Sequence, residues 1–423
     1  MISAVKQYSQ DEKMKVQFTV PDISDLEIRE VTEVLRSGWI TTGPKVLELE
    51  KLLSSYYNTN KTCCLSSQTA AGEMSLRLLG IGSGAGGSEE DEVITCAYTY
   101  TATASVIAHV GAKIVLIDCE EGSLEMDYDA LEAAINEHTK AVIPVDLGGI
   151  PCDYDRIMAI IESKKHLFKA TNELQEELGR VAVVSDAAHA LGARAKFRGS
   201  WKMVGEIADI TNFSFHAVKN FTTAEGGATT WKIPGADDRM IYKLLKRCSM
   251  HGQSKDALTK DLHGDWEYDI LDTAYKYNMT DIVAAIGVAQ FARYDGMLQR
   301  RHEIISRYDC AFRPIGIRTL DHYSDRHTSS GHLYITRLPG VDEKLRNHII
   351  NEMAEKGVMC NVHYKPLPMM TAYRNLGFDI KDYPVAYKKY ANAVTLPLHT
   401  RLTDEDVDYV IQMFIDVLKE NVK

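Results

Sequence analysis

The sequence predicts an α/β protein: a large domain built on a mainly parallel sheet, followed by a smaller C-terminal α+β domain. Three observations predict it. From about Thr62 to Lys232, short apolar runs alternate with helical patterns. The runs ("VITC", "KIVLI", "AVIPV", "VAVVS") are continuous rather than alternating, as in strands buried on both faces. Beyond about Met279 a long helical pattern leads into mixed segments. Strand–helix alternation of the first kind builds a parallel sheet with helices on both sides. The domain boundary is placed at 290, giving residues 1–290 and 291–423.

In chain order, "TCCLSS" reads as a strand and "TAAGEMSLRLLG" as a helix. "EVITC" and "AKIVLIDCE" are strands, separated by the helix "TYTATASVIAHVG". "DYDALEAAINE" is a helix opened by Asp127, whose carboxylate suits an N-cap. "KAVIPVDLGG" is a strand and "DYDRIMAIIESKKHLF" a helix, and "VAVVSDAAHA" and "DITNFSF" are strands. The charged stretch 162–180 reads as a helical excursion on the surface. After the long helix ending at "YDCAF", "SGHLYITRLPG" and "VMCNVHYKP" read as strands, and "VDEKLRNHIINEMAEKG" and "TDEDVDYVIQMFIDVLKE" as helices.

Composition narrows the function. The net charge of −11 and the lack of a long basic run argue against nucleic acid as a partner. The eight cysteines form no C-x-x-C pair and sit mostly in apolar runs, as buried thiols do in a reducing compartment. Cys360 and His363 are too few to hold a metal. The N-terminal stretch has no apolar core of a signal peptide, and no run is long enough to span a bilayer. A cytoplasmic protein with no membrane partner is expected. "GSGAGG" (82–87) fits G-x-G-x-x-G, but a helix precedes it and a strand follows. That is the reverse of the dinucleotide fingerprint, so the stretch reads as a loop.

The chemistry gathers around "NFSFHAVKNFTTAEGG" (212–227). Lys219 follows a buried strand, and lysine is rarely buried without a partner. In a partly apolar pocket its pKa falls, and the neutral amine can form a Schiff base, as in enzymes of pyridoxal 5'-phosphate (PLP). Such a site needs a carboxylate at the pyridine nitrogen, because protonating that nitrogen makes the ring an electron sink. Asp186 ends a buried strand, where ligands of open α/β sheets bind. "SSQTAAGE" (66–73) is a strand-to-helix turn able to offer amides to a phosphate. "YTYTAT" (98–103) brings aromatic rings to another strand end, and Ser214 lies five residues before Lys219.

These motifs, in this order, resemble the DegT–StrS sugar aminotransferases, PLP enzymes of fold type I. The resemblance runs from about Val20 to Asp416. It is carried by "SGWITTGPKVLELEKLL", "SSQTAAGEMSLRLLGIG", "TYTATASVIAHVGAKIVLIDCE", "DAAHALGA", "FSFHAVKN", "EGG", "YKYNMTDIVAAIG", "NVHYKPL" and "LPLHTRLTDEDVDYV". It implies that Lys219 is the Schiff-base lysine and that Asp186 pairs with the pyridine nitrogen. Tyr100 would stack on the ring, and His189 would lie near its phenolic oxygen. Gln68, Thr69 and Ser214 would hold the phosphate, with Lys276 and Asn278 reaching the neighbouring subunit's site in a homodimer. Trp39, Thr41, His363 and Tyr364, in the first and "NVHYKPL" motifs, would contact substrate. The phosphate turn departs from the family's Asn-Gly-Thr: here it is Ser67-Gln68-Thr69. The implied reaction moves an amino group, taken from L-glutamate with 2-oxoglutarate as product, to a nucleotide-linked keto-sugar. The alternatives are a PLP-dependent sugar dehydratase, whose lysine is replaced by histidine, and a non-catalytic relative of the fold.

Overall fold

The computed structural model describes residues 15–254 and 267–422. The reading of the N-terminal stretch as free of a leader falls mainly on residues outside this range. No helix among the described residues is long and apolar enough to cross a membrane.

The large domain contains β1 (Thr62–Leu65), β2 (Glu92–Cys96), β3 (Lys113–Ile117), β4 (Thr139–Ile143), β5 (Ala182–Asp186), β6 (Arg194–Phe197), β7 (Ser200–Met203), β8 (Ile210–Ser214) and β9 (Gly227–Trp231). Seven of these form one sheet in the order β1-β9-β8-β5-β4-β2-β3. β3, β2, β4, β5 and β8 run parallel, while β9 pairs antiparallel with both β8 and β1. Every residue of β1, β4, β5 and β9 is buried, so their unbroken apolar runs reflect a sheet covered on both faces. Helices Gln68–Leu78, Thr101–His109, Tyr128–Ala134 and Tyr154–Lys164 connect the parallel strands as expected. Asp127 caps the third, its carboxylate accepting from the Asp129 and Ala130 amides at 2.9 Å each.

The small domain is organised by β10 (Arg318–Thr319), β11 (His327–Thr328), β12 (Tyr334–Arg337) and β13 (Ala393–Leu396). Helices Glu343–Glu355 and Asp404–Asn421 match their sequence patterns. β10, β12 and β13 form one sheet, and β11 adds to the β6–β7 hairpin. The helix Asp281–Phe312 is continuous across position 290. It packs against helix Asp25–Ser37, where Arg293 reaches the buried Glu27 at 2.9 Å.

Two expectations require correction. "VMCNVHYKP" is not a strand: it makes only isolated bridges, Val358 to Val16 and Asn361 to Thr395. The Asn361 side chain takes the Val362 amide at 2.7 Å, a local bond that competes with a ladder. The 162–180 stretch is not one excursion. After a 3-10 turn at Lys165–Leu167 a new helix, Glu173–Leu178, starts at Asn172. Asn172 and Gln175 both donate to the Leu79 carbonyl, at 3.0 and 2.8 Å, so this segment closes the end of helix Gln68–Leu78. The glycine loop 82–87 is a turn held by Asp91, which accepts from the Gly82 and Ser88 amides at 2.9 and 3.0 Å.

Candidate active site

The carboxyl ends of β5 and β8, the turn after β1 and the start of helix Thr101–His109 converge on a cavity of about 370 Å³. Such ends are where an open α/β sheet leaves a crevice. Lys219, Asp186, His189, Gln68, Thr69, Tyr100, Ser214, His363 and Tyr364 all line it.

Lys219 is partly exposed to the cavity, and no hydrogen bond to its ammonium forms within the described residues. Burial lowers its pKa to about 8, against the attraction of Asp186. Asp186 is 5% exposed. Burial raises its pKa, and the Thr103 hydroxyl, the Ala188 amide, the Lys219 charge and the Gln68 side chain oppose the rise. Thr103 Oγ1 donates to Asp186 Oδ2 at 2.7 Å, and the Ala188 amide donates to Oδ1 at 3.1 Å.

His189 is buried and held in one tautomer. The Gly148 amide donates to its Nδ1 at 3.1 Å, so the ring proton is on Nε2, 3.2 Å from the Tyr364 hydroxyl. Burial and the neighbouring Lys219 charge keep its pKa well below the ordinary value; it is a neutral donor. His363 is likewise neutral, its pKa pushed to about 3 by burial. Tyr100 is 60% exposed at the cavity mouth, its ring centroid 5.9 Å from that of Tyr364.

The turn after β1 is built to receive an anion. Ser67 caps the helix: its hydroxyl takes the Ala70 amide at 3.0 Å and its carbonyl the Ala71 amide at 3.1 Å. The Gln68 and Thr69 amides, at the first two helical positions, have no acceptor within the helix. The glycine pair in "AEGG" explains how β9 approaches this turn. A Cβ on Gly227 would lie 2.4 Å from Gln68 N and 2.4 Å from Ser67 C. The departure from Asn-Gly-Thr is thus met by a glycine on the opposing strand.

A lysine poised near neutrality, a buried carboxylate, first-turn amides over a backbone cradle and an aromatic mouth fit PLP. Lys219 would hold its aldehyde carbon, Asp186 its ring nitrogen, and the Gln68–Thr69 turn with Ser214 its phosphate.

The remaining site candidates lie elsewhere in the chain. Trp39 Nε1 donates to the Thr42 carbonyl at 3.1 Å, and the Thr41 carbonyl takes the Asp281 amide at 2.9 Å. Asn278 Nδ2 donates to Thr42 Oγ1 at 2.7 Å, and Lys276 bridges Met250 through its backbone. None of these four lines the cavity of its own chain. The sequence reading missed Thr103 and Gly148. Thr103 sits within "YTYTAT", one helical turn past the predicted aromatic, and that spacing is the signal that could have found it. It also missed Asp146, fully buried behind Asp186, which accepts from Tyr154, Ser185 and the Cys152 amide.

The fold and this cavity define a PLP-dependent enzyme of fold type I, an aminotransferase. The chain belongs to the DegT/DnrJ/EryC1/StrS aminotransferase family, whose pattern matches residues 21–415. It is 37% identical over 411 residues to the spore coat polysaccharide biosynthesis protein SpsC of Bacillus subtilis, covering 95% of this chain and 97% of that one. Its structure superposes with TM-score 0.91 and 51% identity on the PLP form of a protein described as "putative sugar aminotransferase Spr1654" from Streptococcus pneumoniae, over 97% of this chain and 100% of that one. That protein is also solved in a PMP form. Helicobacter pylori PseC, an aminotransferase involved in the biosynthesis of pseudoaminic acid, gives TM-score 0.83 at 25% identity, over 96% of this chain and 100% of that one.

Proposed function

We propose that this enzyme transfers an amino group from L-glutamate to the ketone of a nucleotide-linked sugar, making an amino sugar for a surface polysaccharide. The observation that carries the reading is Lys219, poised near neutrality beside the buried Asp186 in a cavity open to solvent at Tyr100. The sugar is supported by the SpsC, Spr1654 and PseC likenesses. Retention of lysine at 219 favours amino transfer over dehydration.

When bound, PLP would supply an electron sink for the charge left as a substrate proton departs. Lys219 would take the substrate proton and give it back; a pKa near 8 suits both roles at neutral pH. Asp186 would hold the ring nitrogen and favour its protonated form. His189, a neutral Nε2 donor, and Tyr364 orient the ring's oxygen side. His363 and Tyr364 meet the sugar within the cavity, and Trp39 and Thr41, outside the cavity of their own chain, contact it from the neighbouring subunit. Lys276 and Asn278 serve the neighbouring subunit of a homodimer. Residues 1–290 form the cofactor-binding unit and 291–423 the smaller one, with the long helix shared.

The test is a screen of holoenzyme charged with L-glutamate against UDP- and dTDP-linked 3-keto and 4-keto sugars, read by mass spectrometry. The expected result is a bleaching of the yellow band with glutamate and, for one sugar class, the mass shift of a ketone oxygen replaced by an amine. A band indifferent to glutamate would remove the donor assignment. A charged enzyme that aminates no sugar would remove the acceptor assignment.

A further inference from the structure

A second cavity, about 690 Å³, lies between the carboxyl ends of β3 and β4 and the small domain's β10–β12 pair. It is larger than the catalytic one and within the range of ligand pockets. Its apolar wall includes Leu124, Val145, Leu147, Ile317 and Ile335.

The charges lining it are unevenly matched. Arg156, Arg313 and Arg326 are engaged by Glu120, Asp321 and Asp153 at 3.1, 3.1 and 2.7 Å. Arg318 and Arg337 are not: neither forms an ion pair within the described residues. They stand directly opposite each other in register across β10 and β12, where like charges repel. Arg337 is half-buried, and burial together with Arg318 helps hold its pKa below the ordinary value. Its sole side-chain partner among the described residues is Asn392 Oδ1 at 3.3 Å. Behind the opposite wall the fully buried Lys389 donates to the Glu121 carbonyl at 3.0 Å and to the Ser123 carbonyl, again without a carboxylate. A pair of guanidinium groups with no ion pair of its own, offset only by the longer-range charge of Glu121 at Arg337, is a cost to the fold that an anion would relieve. Two forks facing each other suit the several oxygens of a phosphate better than the two of a carboxylate.

We infer that this cavity is a second ligand site, for a phosphate monoester carrying an apolar body, with Arg318 and Arg337 as its anion contacts. Its position gives an occupant a route to the chemistry. Val145 borders both cavities, and the same turn carries the Gly148 amide that sets the His189 tautomer.

The experiment uses PLP-loaded enzyme, so that the cofactor's own phosphate fills the catalytic turn. Phenyl phosphate, inorganic phosphate and benzoate are titrated by calorimetry while the cofactor absorbance is recorded. Phenyl phosphate is expected to bind most tightly, one per chain, without displacing cofactor. Arg318→Ala, an exposed position that should not disturb folding, is expected to weaken it about tenfold or more, the loss of a charge-assisted contact. Arg337→Lys keeps the charge but loses the fork, and should weaken it less. Unchanged affinity in both variants overturns the assignment. So does the absence of measurable binding at millimolar phenyl phosphate. Benzoate binding as tightly as phenyl phosphate overturns the phosphate selectivity.

Discussion

The Thr103 hydroxyl donates to Asp186 Oδ2 at 2.7 Å, one of the bonds that, with the Gln68 side chain, oppose the upward push of burial on a 5%-exposed carboxylate. Another, from the Ala188 amide, cannot be removed by a side-chain change. Thr103→Val is nearly isosteric and deletes the hydroxyl's bonds to Asp186 and to Thr99 Oγ1, the latter at 3.0 Å. A hydrogen bond to a charged group contributes about 1.5–3 kcal/mol, so Asp186 protonates more readily and turnover on the acid side should fall by up to about 10- to 100-fold. The pH at which activity is lost on the acid side should move upward. Thr103→Ser should restore the wild-type profile; a purely packing role for Thr103 would leave the profile unmoved in both variants.

Much of this site is legible in the sequence because strand ends announce themselves. Asp186 and Ser214 close runs that only a buried strand produces, and Lys219 follows at loop distance. Residues set by approach between distant segments leave a fainter trace. "EGG" shows that glycine is present, but that Gly227 clears the Gln68 amide follows only from β9 lying beside β1. β9 itself, "GATTW", has threonines where apolar residues are expected, and it is buried with helix Gln68–Leu78 packed against it. "VMCNVHYKP" was misread because its β-branched content is strand-like while Asn361 turns the backbone on itself.

Gly227→Ala tests the cradle. Its methyl would meet Gln68 N at 2.4 Å, so the phosphate turn or β9 must shift. Overpacking of this kind costs about 1–3 kcal/mol. The thermal midpoint should fall and PLP should dissociate more readily, seen as loss of the yellow band on dialysis. Gly122→Ala, with nothing within 4 Å of its added methyl, is the control and should be neutral.

Lys219 should lower the stability of the cofactor-free protein. Its folded pKa of about 8 lies below the ordinary lysine value of 10.5. Between those two pH values the unfolded chain binds more protons, so stability rises as pH climbs through that window. Lys219→Met removes the poorly solvated ammonium and should stabilise the apo form at pH 7. We expect about 1–2 kcal/mol, less than the full shift because Lys219 is partly exposed and Asp186 loses its cationic neighbour. The gain should fade toward pH 10.5. Urea unfolding of both apo proteins at pH 7 and pH 10 measures it; an advantage that persists at pH 10 would point to packing rather than charge.

Complementary loss in two chains tests whether sites are shared. Lys276 is exposed and makes no ion pair within the described residues, and neither it nor Asn278 reaches the cavity of its own chain. Asn278 instead sits with Thr42 beside the loop that carries Trp39 and Thr41. Lys276 and Asn278 both lie next to the phosphate turn's backbone, where the Ser66 amide meets the Tyr277 carbonyl at 2.7 Å, and under the proposed function they would serve a second copy across a two-fold axis. Such an interface is self-complementary, so each chain gives the pair and receives it. Lys219→Ala should abolish turnover by removing the nucleophile. Lys276→Ala combined with Asn278→Ala should weaken phosphate retention in the partner's site. When the two variants are mixed and allowed to exchange, about half the dimers are mixed, and each of these has one site with all its parts. Activity should therefore recover to about one quarter of wild type, well above either parent. Native mass spectrometry confirms the mixed dimers. Mixed dimers with no recovered activity would place Lys276 and Asn278 outside the partner's chemistry.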